Sequence, residues 1–169
     1  MSRTLITVAD RQVVEVQIAD RGLLHEELIT ELGEALDQAE DLRPPMGIVI
    51  HVVGRLKHEV LHPWPGPTEI QAVLKWERVT RRIERSVLTS VVLAEHRCSW
   101  LALELLLSVD RRFGSQDFSV QYAAPKRDVW PGMGLYRLTR QVGYAQACKL
   151  LLDAVDLTVR PCGDLGLVD

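Results

Sequence analysis

Apolar and polar positions follow two different periods along this chain. From Leu5 to Ile18 the period is two and comes in two pieces. Leu5 and Thr7, then Val14, Val16 and Ile18, share one face, with Asp10-Arg11-Gln12 between them. That pattern predicts a β-hairpin or two short antiparallel strands. Between Leu24 and Glu40 the apolar residues fall at 24, 28, 32, 35, 36 and 39, with acids interspersed, which is helical spacing. Arg43-Pro44-Pro45 stops that helix, and the apolar run from Gly47 to Val53 reads as a buried strand.

Gly54 to Pro67 breaks both periods. It holds His58, His62, Lys57, Trp64 and three prolines, and reads as a long irregular loop. Ile70 to Arg85 returns to helical spacing, with Arg78, Arg81, Arg82 and Arg85 on its outer face. The stretch that organises the rest is Val87 to Asp110. It opens with a β-branched run (Val87, Val91, Val92, Leu93), a strand pattern, and closes with Leu101-Ala-Leu-Glu-Leu-Leu-Leu, the composition of a buried helix. Glu95-His96-Arg97-Cys98-Ser99 separates the two. Such a break lies where ligands bind in open α/β sheets, since unpaired helix N–H groups face the crevice. Beyond Asp110, a short strand is expected within Arg111 to Val120, followed by a second irregular stretch from Tyr122. Helices are expected over Met133 to Gln141 and Ala145 to Asp153, parted by Gly143, with a short strand or tail from Val159 to Asp169.

Length and composition narrow the class. The 169 residues suit one domain, 1–169, and 47% apolar with 25% charged residues is the balance of a globular protein. A net charge of −3 gives no electrostatic case for nucleic acid or an anionic membrane surface. Cys98, Cys148 and Cys162, without a CxxC spacing, argue against a disulfide framework and a zinc site. No signal-peptide pattern and no apolar run near the roughly 20 residues of a spanning helix is present, so a cytoplasmic location is expected.

Several residues carry candidate chemistry. Glu104, read as a first-turn carboxylate inside an apolar helix, needs a partner or a task. It is a candidate general acid/base, or a structural carboxylate paired with Arg97 or Arg137. Cys98 follows a cation and precedes a helix, conditions that lower a thiol pKa, though lone cysteines are commonly small core residues. His58 and His62 are candidate proton carriers or plain solvated loop histidines, with no third ligand to suggest a metal. The basic face of the helix from Ile70 to Arg85 could receive phosphates, or be a solvated face balanced by Glu69, Glu77 and Glu84. Trp64 and Trp130 suit an aromatic pocket, a core or an interface.

The order of elements and three stretches resemble the crotonase (enoyl-CoA hydratase/isomerase) superfamily. Leu23 to Val53 looks like that family's first helix and following strand. Trp76 to Asp110, with IERS at 83–86 and LALELLLSVD at 101–110, looks like its central strand and glutamate-bearing helix. WPGMGLYRLTRQVG at 130–143 looks like its Pro-Gly turn and next helix. The resemblance implies an α/β fold, a crotonase-like ββα spiral core, here lacking the family's C-terminal helical extension. It implies an acyl-thioester substrate, commonly of coenzyme A, with no separate cofactor, and a homo-oligomer (trimer or hexamer). Two backbone N–H groups would form an oxyanion hole for the thioester oxygen. They fall near Lys57 to Glu59, with His58 as donor, and at Leu101. Lys57, Trp100, Tyr122 and Trp130 would line the substrate site.

Departures from the family pattern qualify that picture. Ser99-Trp100-Leu101-Ala102 replaces a glycine-rich approach, and Lys57-His58-Glu59-Val60 replaces an Ala-Gly-x-Asp loop. Of the two carboxylates a hydratase uses, the first matches Glu104. The second falls at Tyr122 to Ala124, where no acid exists, and the nearest is Asp128. Asp128-Val-Trp-Pro-Gly-Met with Tyr136-Arg137-Leu138 most resembles short accessory crotonase-like proteins of secondary metabolism, such as the auxiliary member of the dihydroxyphenylacetyl-CoA (dihydroxyphenylglycine) pathway. That member assists a polyketide synthase and is assigned a hydratase- or dehydratase-like role. The expectations are therefore an isomerase or hydratase/dehydratase of an acyl-thioester in polyketide biosynthesis, a non-catalytic partner or scaffold of a biosynthetic enzyme, or a cyclase-like binder.

Overall fold

The computed structural model describes residues 2–8, 11–42, 47–56, 68–120, 132–153 and 156–169. The two-residue period of the N-terminus becomes β1 (Ser2–Val8) and β2 (Arg11–Asp20), paired antiparallel with Leu5 opposite Val14. Then the chain alternates helix and strand: α1 (Glu26–Asp41), β3 (Gly47–Gly54), α2 (Ile70–Arg85), β4 (Thr89–Glu95). Each new strand joins parallel to the one before. With β6 (Arg111–Gly114) they form a five-stranded sheet in the order β1-β2-β3-β4-β6.

Alternation sets which side chains enter the core. Val14, Val16 and Ile18 of β2, Ile48, Ile50 and Val52 of β3, and Val92 and Ala94 of β4 are buried. The apolar stripe of α1 (Leu28, Leu32, Ala35, Leu36, Ala39) and that of α2 (Ala72, Trp76, Ile83) belong to the same cluster. Burial of each large side chain there is worth about 1.5–3 kcal/mol.

The break after β4 contains a strand that the sequence pattern does not predict. His96 takes a left-handed φ of 60°, and β5 (Arg97–Cys98) leaves the first sheet. β5 heads a three-stranded sheet with β7 (Ser119–Val120) and β8 (Leu157–Thr158). Gly54 is the point where the two sheets touch: a Cβ there would lie 2.2 Å from the Arg97 carbonyl oxygen, so only glycine fits. α3 (Trp100–Leu106) follows β5 directly and is buried on all sides. α4 (Gly134–Val142) and α5 (Tyr144–Asp153) flank Gly143, whose φ is 83°. The stretch expected as a short strand or tail, Val159 to Asp169, begins with α6 (Val159–Asp164). Among the described residues no helix is long and apolar enough to cross a membrane.

Candidate active site

α3 starts where the two sheets diverge, and its first turn is built by two polar residues. Ser99 is the N-cap: its Oγ accepts the Leu101 N–H at 3.2 Å. Ser99 is itself fixed by Asp20 at the end of β2. Asp20 Oδ2 accepts the Ser99 N–H at 2.6 Å, and Oδ1 accepts the Ser99 hydroxyl at 2.8 Å and the Gly22 N–H at 2.9 Å. Burial pushes the Asp20 carboxyl above its ordinary range and outweighs the bonds from Gly22 and Ser99, which pull the other way.

Glu104 is 1% exposed and projects from α3 among three other elements. The Trp76 indole Nε1–H, on α2, donates to Glu104 Oε2 at 2.5 Å. On the other side stands the first residue of α4. A Cβ on Gly134 would lie 2.5 Å from Glu104 Oε1 and 2.8 Å from the Trp100 Nε1, so the α4 backbone abuts the carboxylate. A buried acceptor left without its donor costs about 1–3 kcal/mol, which makes Trp76 a principal support of Glu104.

The geometry decides three of these readings. α3 begins at Trp100, so Glu104 sits beyond the first turn and the helix dipole gives it little. The arginine pairing suggested for Glu104 gives way to the indole. Arg137 bonds Glu84 at 2.7 Å and Glu77 at 2.9 and 3.0 Å, and Arg97 bonds Asp156 at 3.0 Å. Cys98 is fully buried and donates to the Glu95 carbonyl at 3.3 Å. Burial, helped by the charge of Asp20, pushes its thiol far above the ordinary range, the opposite of an activated nucleophile.

Other singled-out groups have structural surroundings. His96 pairs with Asp117 on the surface, and Asp117 is held low first by the Ser115 hydroxyl and then by His96. Half of the α2 basic face is braced: Arg82 reaches Asp37 at 2.7 Å and Glu40 at 2.5 Å on α1, and Arg81 reaches Glu77 at 2.8 Å.

Of the expected site residues, Glu104, Trp100 and Leu101 come together on α3, all buried. Leu101 presents its N–H to Ser99 Oγ. Lys57, His58, Tyr122, Asp128 and Trp130 lie outside the described residues. Sequence reasoning missed Asp20, Ser99, Trp76 and Gly134. Of these only Ser99 left a signal, a hydroxyl residue directly before an apolar helical run.

No family model matches the chain. An enoyl-CoA hydratase of Amycolatopsis orientalis is 34% identical over 141 residues, which is 83% of this chain and 63% of that protein, so the chain spans less than two thirds of this relative's length. The solved structure of an enoyl-CoA hydratase/isomerase family protein from Silicibacter pomeroyi superposes with a TM-score of 0.77 at 13% identity, over 99% of this chain and 74% of its own. That of a Bacillus subtilis protein assigned as a polyketide biosynthesis enoyl-CoA hydratase gives 0.73 at 14% identity, over 100% and 70%. At these identities the structures speak for the fold alone. The chain has the crotonase fold, that of the enoyl-CoA hydratases and isomerases, and over most of its length its sequence is similar to an enoyl-CoA hydratase.

Proposed function

We propose that this chain acts on an acyl-thioester, coenzyme A- or carrier-bound, by moving a proton at the carbon beside the thioester carbonyl. The observation that carries the reading is Glu104: a buried carboxylate on the helix that opens at the meeting of the two sheets, oriented by a neutral indole. A carboxylate so held is positioned as a general base, and desolvation strengthens its action on a bound carbon acid. A single reliable carboxylate suits double-bond isomerisation or elimination better than water addition, because one base can remove and return a proton. Asp128 would supply the second group in a hydratase or dehydratase. His58 and Leu101 would offer the backbone N–H groups to the oxyanion, with Lys57, Trp100, Tyr122 and Trp130 around the acyl chain. The likeness to the Bacillus subtilis protein supports a place in polyketide biosynthesis, and the resemblance to the crotonase superfamily implies a homo-oligomer.

The test is isomerisation of 3-hexenoyl-CoA to the 2-enoyl isomer. Glu104→Gln, which keeps an acceptor for Trp76, should lower the rate about 100- to 10,000-fold with the melting temperature retained. Full activity in the variant overturns the proposal.

One observation favours a second reading, a non-catalytic partner or scaffold of a biosynthetic enzyme. The Leu101 N–H already has an acceptor in Ser99 Oγ, and Asp20 holds that acceptor in place. Absence of acyl-CoA binding by calorimetry, together with co-purification with a synthase, supports this reading over the first.

A further inference from the structure

A cleft of about 670 Å³ opens between α2, α4 and the turn from α3 into β6, a size typical of small-molecule sites. Its floor is the buried Arg137 guanidinium, which bonds Glu77 and Glu84 and clamps α4 to α2. Burial disfavours that charge, and the hydrogen bonds it donates to the two glutamates outweigh burial and keep the group firmly protonated. Arg81 adds a bond to Glu77. The charges of the floor are therefore matched, and the floor is rigid.

The walls are different. Arg85 on α2 and Arg140 on α4 both line the cleft and are exposed, and among the described residues neither is paired with a carboxylate. Arg140 lies over the Tyr136 ring, 5.8 Å from its centroid, which limits where its guanidinium can go. Asp110, also on the rim, directs its Oδ2 to the Ser90 N–H and hydroxyl, at 2.9 Å each. Leu107, Met133 and the Tyr136 ring supply apolar wall.

Two guanidinium groups without a carboxylate partner among the described residues give the cleft a positive wall that an anion can match. The planar guanidinium fork suits a phosphate or carboxylate in particular. The cavity is far larger than either group alone, and the apolar wall has room for an organic body. We infer that this cleft binds a small organic anion, a phosphate or carboxylate on an apolar or aromatic body, between Arg85 and Arg140. It lies at the C-terminal end of the seven-residue α3, about 10 Å along the helix from Leu101, and its occupancy does not depend on the acyl-thioester reading.

The test is calorimetric titration of the full chain with inorganic phosphate, phenyl phosphate and benzoate. Phenyl phosphate or benzoate should saturate about tenfold more tightly than inorganic phosphate, through ring burial. Whichever of the two binds tighter assigns the anionic group. Arg85→Gln and Arg140→Gln should each weaken that binding about tenfold or more without moving the melting temperature, since both side chains are on the surface. No saturable binding of any probe at millimolar concentration, an organic probe no tighter than phosphate, or full affinity in both variants overturns the inference.

Discussion

Glu104 and Asp20 are both 1% exposed, and what surrounds each carboxylate decides its use. Asp20 receives three hydrogen bonds and serves the N-terminus of α3, while Glu104 takes an indole N–H and faces the start of α4. Asp20 makes a pH prediction with a definite sign. Its carboxyl is held above the ordinary 3.8, so the folded chain binds the proton more tightly than the unfolded chain. Its contribution to stability is then full below 3.8 and is lost as the pH rises through the higher folded-state value. Asp20→Asn cannot titrate. The melting temperature of the variant relative to the parent should therefore climb as the pH rises from below 3.8 through the folded-state value. A difference that stays flat or falls over that range contradicts the assignment. None of this was legible in the sequence, because Asp20 and Ser99 are 79 positions apart and Asp20 looks like an ordinary strand terminus. Glu104 was legible, since a lone acid in an apolar helix stands out. Its partner was not: an indole is as ordinary on the apolar stripe of α2 as a leucine.

Among elements, those with an unbroken period were readable and those shorter than a period were not. α2 runs over Ile70–Arg85, the same span that its spacing predicts, and α1, β3 and α4 fall within two residues of prediction at either end. β5 has two residues and cannot show alternation, so the break between β4 and α3 looked like a loop. α6 carries Pro161, which discourages a helix reading but is tolerated in a first turn, where the missing N–H has no intrahelical acceptor. The junction of the two sheets is the element-scale feature with the sharpest test. A methyl group at Gly54 would meet the Arg97 backbone at 2.2 Å from oxygen and 2.9 Å from nitrogen, atoms that cannot swing aside. Gly54→Ala should cost about 3 kcal/mol or more in urea unfolding, at the upper end of overpacking effects, because strands rather than a side chain must move. Stability within about 0.5 kcal/mol of the parent would show that β3 and β5 are less closely joined than described.

The whole molecule is a spiral in which each turn adds a parallel strand and returns the chain to one edge of the core. That winding brings the end of β2, the start of β5 and the first turn of α3 to one place, and seats Trp76 and Gly134 around Glu104. The likeness to longer crotonase-fold proteins is a likeness of this arrangement, and the chemistry must be asked of these residues themselves. Under the proposed function Glu104 exchanges a proton with the carbon beside a thioester carbonyl. The most direct measurement is wash-out of the α-protons of butyryl-CoA in D2O, followed by NMR, which needs neither a known double bond nor a second acid. The account predicts exchange above the uncatalysed rate with the parent chain and a loss of about 100-fold or more in Glu104→Gln. No exchange in the parent, or equal exchange in the variant, contradicts it.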